Sequence, residues 1–194
     1  MILRSLALVT ISTLLLTSCE EESLLTEPQI NPGFDAIHYD DGNIDAPLLP
    51  AGSYEAAVKF PSNYLAANKN DSIKEVHFFI QELPNVCKVK FYSSFSGQLT
   101  PGNLLYSQNV ISEIQANSWN RHVLSSPLII GNEDIWISIS FESNTDNRVV
   151  GCDPGPASEN GEWLWDAAVG SWDKLSNNST LDIDWNIRLA VKPS

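Results

Sequence analysis

The sequence predicts an all-β protein, a single jelly-roll-like antiparallel β-sandwich. Three observations predict it. Apolar and polar residues alternate with period 2 through most of the chain after Tyr39, the mark of strands with one buried face. Turn-forming residues separate these runs at short intervals. Only one short stretch, Ser62 to Ala67, reads as helix.

The elements follow in order. Tyr54, Ala56, Val58 and Phe60 form the first apolar set, and the helical stretch comes next, with Ser62 or Asn63 as its cap. Val76, Phe78 and Ile80 form a second strand. Cys87, Val89 and Phe91 alternate with Lys88, Lys90 and Tyr92. Weaker alternation runs over Leu104 to Val110 and Trp119 to Leu124. The clearest run has Ile135, Ile137, Ile139 and Phe141 on one face, with Ser138 and Ser140 on the other. The last strand places Ile183, Trp185, Ile187, Leu189 and Val191 opposite Asp182, Asp184, Asn186, Arg188 and Ala190. Asp41-Gly42, Gly131-Asn132 and Asp153-Pro154-Gly155-Pro156 punctuate the strands. Pro154-Gly155 suits the centre of a type II turn, because proline fixes φ and glycine accepts φ > 0. Strands at this spacing with one apolar face imply two packed sheets. Residues 38–194 suffice for one domain with its own core.

The amino terminus reads as an export signal over residues 1–18. Arg4 precedes an uncharged run, Leu6 to Leu16, that falls short of the about 20 residues a membrane-spanning helix needs. Leu16-Thr17-Ser18-Cys19 follows and resembles the lipobox of bacterial lipoproteins. The resemblance implies that Cys19 becomes the first mature residue and carries fatty acid, palmitate among the acyl chains. Each buried methylene contributes about 0.8 kcal/mol, so two or three chains make a lasting membrane anchor. The alternative is an ordinary signal peptide followed by an unrelated cysteine. Residues 19–37, with Glu20, Glu21, Glu22, Glu27, Pro28, Pro32 and Gly33, read as an acidic tether with a reach of roughly 25 Å. Acidic residues directly after the lipidated cysteine resemble the surface-export signal of Bacteroidota lipoproteins. The expected location is the bacterial outer membrane, at the cell surface, with the periplasmic face as the alternative.

The chain carries 24 acidic and 11 basic residues, a formal net charge of -13. Phosphate backbones demand Lys and Arg, so nucleic acid is not an expected partner. Cys87 and Cys152 remain besides Cys19. In an oxidising compartment they either pair or stay as buried thiols.

One resemblance covers most of residues 39–192. It is carried by the order of Tyr39-Asp40-Asp41-Gly42, Ala56-Ala57-Val58-Lys59-Phe60, Lys88-Val89-Lys90-Phe91-Tyr92, Leu105-Tyr106-Ser107-Gln108-Asn109-Val110, Trp119-Asn120, Pro127-Leu128-Ile129-Ile130, Ile135-Trp136-Ile137, Asp153-Pro154-Gly155-Pro156, Gly170-Ser171-Trp172 and Trp185-Asn186-Ile187-Arg188. Together these segments resemble the β-sandwich modules that accompany adhesin and haemagglutinin domains of gingipain-like proteins. The resemblance implies a non-catalytic adhesion or accessory module and supplies no binding residues.

Motifs for chemistry are sparse. His38, His77 and His122 each stand alone, outside the spacings that bring metal ligands together on one helix, and surface or strand-edge positions are expected for them. No G-x-S-x-G elbow occurs. Asp40, Asp41 and Asp153 precede turns, where Asp usually bonds nearby backbone N–H groups. The same hard oxygens could hold a structural Ca²⁺. No other cofactor is implied. The sequence holds six tryptophans, and Trp163, Trp165 and Trp172 cluster in a glycine-rich region. Exposed flat rings stack on sugar faces, which makes these three the candidate ligand-binding residues. The plainer alternative is burial, the usual fate of aromatic rings. Asp71-Ser72-Ile73 resembles the Bacteroidota O-glycosylation acceptor, which makes Ser72 a candidate modification site in a polar loop.

The expected function is that of a cell-envelope lipoprotein acting as a non-catalytic binding or adhesion module, for glycans or another surface protein. The alternatives are a secreted hydrolase whose site assembles only in the fold, or a structural subunit of an envelope assembly. Intact-mass spectrometry of the membrane-extracted protein is predicted to give a chain starting at Cys19 with a diacylglyceryl adduct. An unmodified thiol, or a retained leader, would contradict the export reading.

Overall fold

The structure, a computed structural model, describes residues 27–194. Among the described residues, ten strands form two antiparallel sheets. They are β1 (Asp35–Ile37), β2 (Gly52–Phe60), β3 (Ser72–Ile80), β4 (Val86–Ser94), β5 (Asn103–Asn109), β6 (Ser118–Ile129), β7 (Asp134–Ser143), β8 (Trp163–Asp166), β9 (Ser171–Lys174) and β10 (Ile187–Lys192). A four-stranded sheet has the order β1-β10-β3-β6, and a six-stranded sheet the order β5-β4-β7-β2-β8-β9. Successive strands repeatedly change sheet, so the expected jelly-roll-like sandwich is the architecture found.

The alternation dictates the core. Tyr54, Ala56, Val58 and Phe60 of β2 meet Ile135, Ile137, Ile139 and Phe141 of β7, and Cys87, Val89 and Phe91 of β4 lie beyond. From the other sheet come Ile73, Val76, Phe78 and Ile80 of β3 and Ile187, Leu189 and Val191 of β10. Most of these residues are fully buried, and each large apolar side chain so buried contributes about 1.5–3 kcal/mol. On one side the two edge strands, β5 and β6, are joined by polar atoms. Tyr106 Oη stands 2.8 Å from His122 Nε2, and His122 Nδ1 lies 3.2 Å from Glu113 Oε2.

Several elements differ from the sequence expectation. The stretch read as helix over Ser62–Ala67 gives only a 3-10 turn at Ala66–Asn68. Asp134 Oδ1 accepts the Ser62 N–H at 2.8 Å, and Asn63 caps its immediate neighbour Tyr64 instead of a helix turn. A one-turn helix, α1 (Leu175–Asn178), was not anticipated. The last strand joins the sheet ladder only from Ile187, with Trp185 making an isolated bridge to Cys152. Before it, Ile183 and Trp185 still point into the core, but Trp185 N donates to Gly161 O at 2.9 Å and Asp184 N to Asp153 Oδ1 at 2.7 Å. Gly155 has φ +73°, as a type II turn requires at that position.

The expected tether is shorter than residues 19–37. Its part before Glu27 lies outside the described residues. From Glu27 onward the segment is docked on the outer face of the four-stranded sheet, and β1 pairs with β10. Asn31 Nδ2 donates to Glu75 Oε1 at 2.7 Å, and the Glu27 carboxylate accepts from Arg188. Arg188 is only 7% exposed. Its Nε donates to Asp40 Oδ2 at 2.9 Å, and its guanidinium stacks on Trp119 at 4.4 Å. Beside it, Glu75 receives Arg121 Nε at 2.7 Å and lies 3.1 Å from His77 Nε2. Burial pushes the Asp40 carboxyl up, but His38, with Nδ1 3.6 Å from Oδ1, and the hydrogen bonds from Arg188 outweigh it and hold the carboxyl below its ordinary value.

Breaking a buried ion pair from one side leaves an uncompensated charge, which costs about 3–5 kcal/mol. Arg188→Leu is therefore predicted to destabilise the protein by about that amount in guanidinium unfolding, because Asp40 stays fully buried. A loss within 1 kcal/mol, the scale of exposed pairs, would contradict this account of the docked segment.

Candidate functional site

The residues between the core positions point to the other face of the six-stranded sheet. These are Glu55, Ala57 and Lys59 of β2, Trp136 and Ser138 of β7, and Lys90 and Tyr92 of β4. Trp163 and Trp165 of β8 join them, with Trp172 and Lys174 of β9. The register sets their neighbours: Ala57 opposes Trp163, Lys59 opposes Trp136, Trp165 opposes Trp172 and Trp163 opposes Lys174. An outer sheet face is commonly solvated and polar. Here much of it is buried.

Its centre is a second apolar cluster of Ala57, Trp136 and Trp163, with Tyr92 and Trp172 packed against it. Ala57 is small enough to leave room for the two indoles. Trp136 is fully buried, its ring 5.1 Å from Trp163 and 5.9 Å from Trp172, and its N–H donates to Ser94 Oγ at 2.9 Å. Beside this cluster lies a closed polar network. Tyr92 Oη and Ser138 Oγ each donate to Glu55 Oε2 at 3.0 Å, and Lys90 Nζ donates to Glu55 Oε1. Burial, then the Glu55 charge, raises the Tyr92 hydroxyl well above its ordinary value.

At the other end of the face the polar groups are less fully used. Lys59 Nζ donates to Gln98 O at 2.7 Å and lies 5.5 Å over Trp136. It stands 3.1 Å from Asp134 Oδ2, as an ion pair off the line of a hydrogen bond. Asp134 Oδ2 therefore has no hydrogen-bond partner, and neither has the Trp163 indole N–H; both atoms are buried. Lys174 Nζ sits 5.7 Å from the Trp163 ring centre. These four side chains line a pocket of about 380 Å³, closed by Ser96, Gly97 and Leu99 on one side and Glu159 and Asn160 on the other. Lys59 N donates to Asn160 O at 2.9 Å, which fixes the second wall to β2. The first wall carries an exposed apolar group, Leu99 at 68%, and Phe95, next to Ser96 in the chain, is 71% exposed.

The structure sorts the residues singled out in the sequence. Trp163, Trp165 and Trp172 do share one face, but not as three exposed rings. Trp163 is 5% exposed because it packs on Trp136, whereas Trp165 and Trp172 are half-buried. Asp40, Asp41 and Asp153 do not form a ligand set. Asp40 is held by Arg188, and Asp153 accepts N–H groups from Asp41, Gly155 and Asp184. Among the described residues, no group of three or more His, Cys, Asp or Glu side chains is arranged to hold a metal ion. Cys87 and Cys152 are free buried thiols, not a disulfide, and burial raises both to about 12. Ser72 opens β3, paired with both Ile129 and Lys192, so it is not in a loop. His77 and His122 are buried rather than superficial. Cys19 lies outside the described residues.

Sequence reasoning missed Lys59, Asp134 and Lys174. Lys59 and Trp136 both fall on the polar phase of their strands, which was readable. The meeting of Lys59 with Asp134 was not, since only the β2–β7 register brings them together.

No protein-family model matches the chain, and no curated protein matches it.

The second wall of the pocket depends on Asp184. Its Oδ1 accepts from Ser158 N at 2.9 Å and from Ser158 Oγ at 2.8 Å. A Cβ added at Gly161 would lie 1.9 Å from the same oxygen, so glycine is needed for this approach. Burial pushes the Asp184 carboxyl up to about 6, with Asp153 and Asp40 adding to it and Ser158 opposing. The folded state therefore binds this proton more tightly than the unfolded chain, whose Asp titrates near about 3.9. The resulting stability is fully present below the unfolded value and is lost as pH rises through about 6. Asp184→Asn keeps an acceptor for Ser158 and removes the titration. Relative to the native protein, this variant is predicted to be more stable at pH 7.5, with the difference shrinking as pH falls toward 4. Denaturation at several pH values checks this, and a pH-independent difference would refute it.

Proposed function

We propose that this protein is a non-catalytic binding or adhesion module of a bacterial cell envelope, anchored by lipid at Cys19, and that it takes a glycan or another surface protein on the outer face of its six-stranded sheet. The observation that carries the proposal is the union of half-buried aromatic rings and incompletely used polar atoms on that face. Trp165 and Trp172 offer flat apolar surface, while the adjoining pocket offers donors and an acceptor. Binding sites commonly combine apolar walls with a few placed polar groups. The rigid sheet holds the rings in place, which lowers the entropy lost on binding. The segment docked by Arg188 touches the outer face of the other sheet at Arg188 and Glu75, so the two faces are not equivalent.

The lipobox-like Leu16-Thr17-Ser18-Cys19 and the acidic residues after it support an envelope location. The acidic surface, with a net charge of -13, supports neutral or basic partners over nucleic acid.

A glycan array probed with the full-length protein, beside a Trp165→Ala/Trp172→Ala variant, tests the reading. Large aromatic contacts contribute about 2 kcal/mol or more each when they act as binding hot spots. The variant is therefore predicted to lose binding by roughly tenfold or more; because Trp172 also packs on Trp136, its unfolding midpoint is expected to fall too, and binding is compared below that midpoint, where the variant is folded. Binding by the native protein that the double substitution leaves intact would move the site elsewhere.

A further inference from the structure

We infer that the pocket between Lys59, Asp134, Trp163 and Lys174 recognises a neutral sugar end-on, through a pair of adjacent hydroxyl groups. The inference rests on the binding-module reading and names its ligand class. The pocket is large enough for a sugar ring, at about 380 Å³, within the usual range for small-molecule sites.

Its polar groups suit a vicinal diol. A sugar hydroxyl both donates and accepts, so it is best satisfied where a donor and an acceptor stand side by side. Lys59 Nζ and Asp134 Oδ2 stand side by side at 3.1 Å. Lys59 spends one of its three N–H groups on Gln98 O, and Asp134 Oδ2 has no hydrogen bond. Asp134 Oδ2 is buried behind Lys59, so a ligand reaches it by displacing the Lys59 ammonium; one hydroxyl then accepts from Lys59 while its neighbour donates to Asp134. The indole N–H of Trp163, 95% buried by residue and without a partner, adds a third fixed group. Unmet buried groups of this kind carry a free-energy penalty that a ligand relieves. Lys174 reaches across the same ring, and its flexible stem can shift to admit a ligand.

Charge separates neutral from acidic sugars. Two ammonium groups, Lys59 and Lys174, face two carboxylates, Asp134 and Glu159. The lining is formally neutral, in a molecule of net charge -13. A uronic acid would bring its carboxylate beside Asp134 and Glu159 with no surplus cation to receive it. Leu99 closes the pocket on one side with an apolar surface, which suits the C–H face of a ring.

The test is a titration of the full-length protein with neutral gluco-, galacto- and manno-trisaccharides and with the galacturonate trisaccharide. Binding is followed by calorimetry and by the ¹⁵N–¹H signals of the tryptophan indoles. At least one neutral trisaccharide is expected to bind and to shift the Trp163 indole signal. The Trp136 and Trp185 indoles, already bonded to Ser94 and to Trp163 O, are expected to shift less. Trp163→Phe keeps the ring and removes the N–H, so affinity should fall roughly 2- to 10-fold. Asp134→Asn should lower it roughly 10- to 100-fold, as expected for a hydrogen bond to a charged group. If Asp134→Asn fails to fold, because Asp134 also holds the Ser62 N–H, the indole shift and Trp163→Phe still decide. Binding of the galacturonate trisaccharide alone, or neutral binding unaffected by both substitutions with a silent Trp163 signal, overturns this inference and leaves the glycan-module reading standing. No binding of any saccharide overturns the inference and takes the glycan reading with it.

Discussion

The six-stranded sheet buries side chains on both of its faces, and the arrangement of the site follows from that constraint. A sheet in a two-layer sandwich needs only one apolar face. Here β2 and β7 carry the shared core on one phase and Ala57 and Trp136 on the other. Once Trp136 is buried outside the sandwich, Trp163 and Trp172 must pack around it. Charged groups that share this face must then be paired, because an isolated buried charge is too costly. Glu55 is fully satisfied by Lys90, Tyr92 and Ser138. The Lys59–Asp134 pair is not: it lines the pocket, and Asp134 Oδ2, itself buried, is left without a hydrogen bond. The candidate site is thus the place where the outer-face packing stops short of completion.

The four-stranded sheet solves the same problem differently. Its outer face carries Glu75, His77, Phe79, Trp119, Arg121 and Arg188, and the chain's own segment from Glu27 onward lies against it. Glu75, His77 and Arg188 are buried and matched to one another or to Asp40. Part of that face is occupied from within. The docked segment also means that a lipid at Cys19 would leave few residues between membrane and domain. The loop at residues 153–161 links the two sheets: Asp153 binds the backbone of Asp41, and Asp184 binds Ser158. Through this loop the packing beside Asp40 is continuous with the pocket wall at Asn160.

Much of the fold was legible in the residues. Period-2 alternation in Ile135–Phe141, Tyr54–Phe60 and Cys87–Phe91 located three adjacent strands of one sheet, because each has one strictly apolar phase. The Asp153-Pro154-Gly155 turn was legible because proline and glycine constrain φ directly. The docking of residues 27–37 was not legible, since Glu27, Pro28, Pro32 and Gly33 carry no periodicity; their order comes from contacts with Arg188 and Glu75, far along the chain. The one-turn helix at Leu175–Asn178 had no signal of its own and depends on Glu162, which accepts Ser176 N at 2.8 Å. For the site, the tryptophans were visible and their shared face was predictable. Their unequal exposure was not, because it depends on Trp136, which the strongest apolar run placed out of view on its other phase. The pairing of Lys59 with Asp134 has no trace in local sequence.

Hydrogen–deuterium exchange of the full-length protein, with and without a saccharide ligand, tests most directly the claim that the outer face of the six-stranded sheet is the binding surface. The account predicts slowed exchange confined to β8, β9 and the loop around Gly97, with the rest of the sandwich unchanged. Protection centred instead on the four-stranded sheet, or on the loops around Ile44 and Leu181, would contradict it.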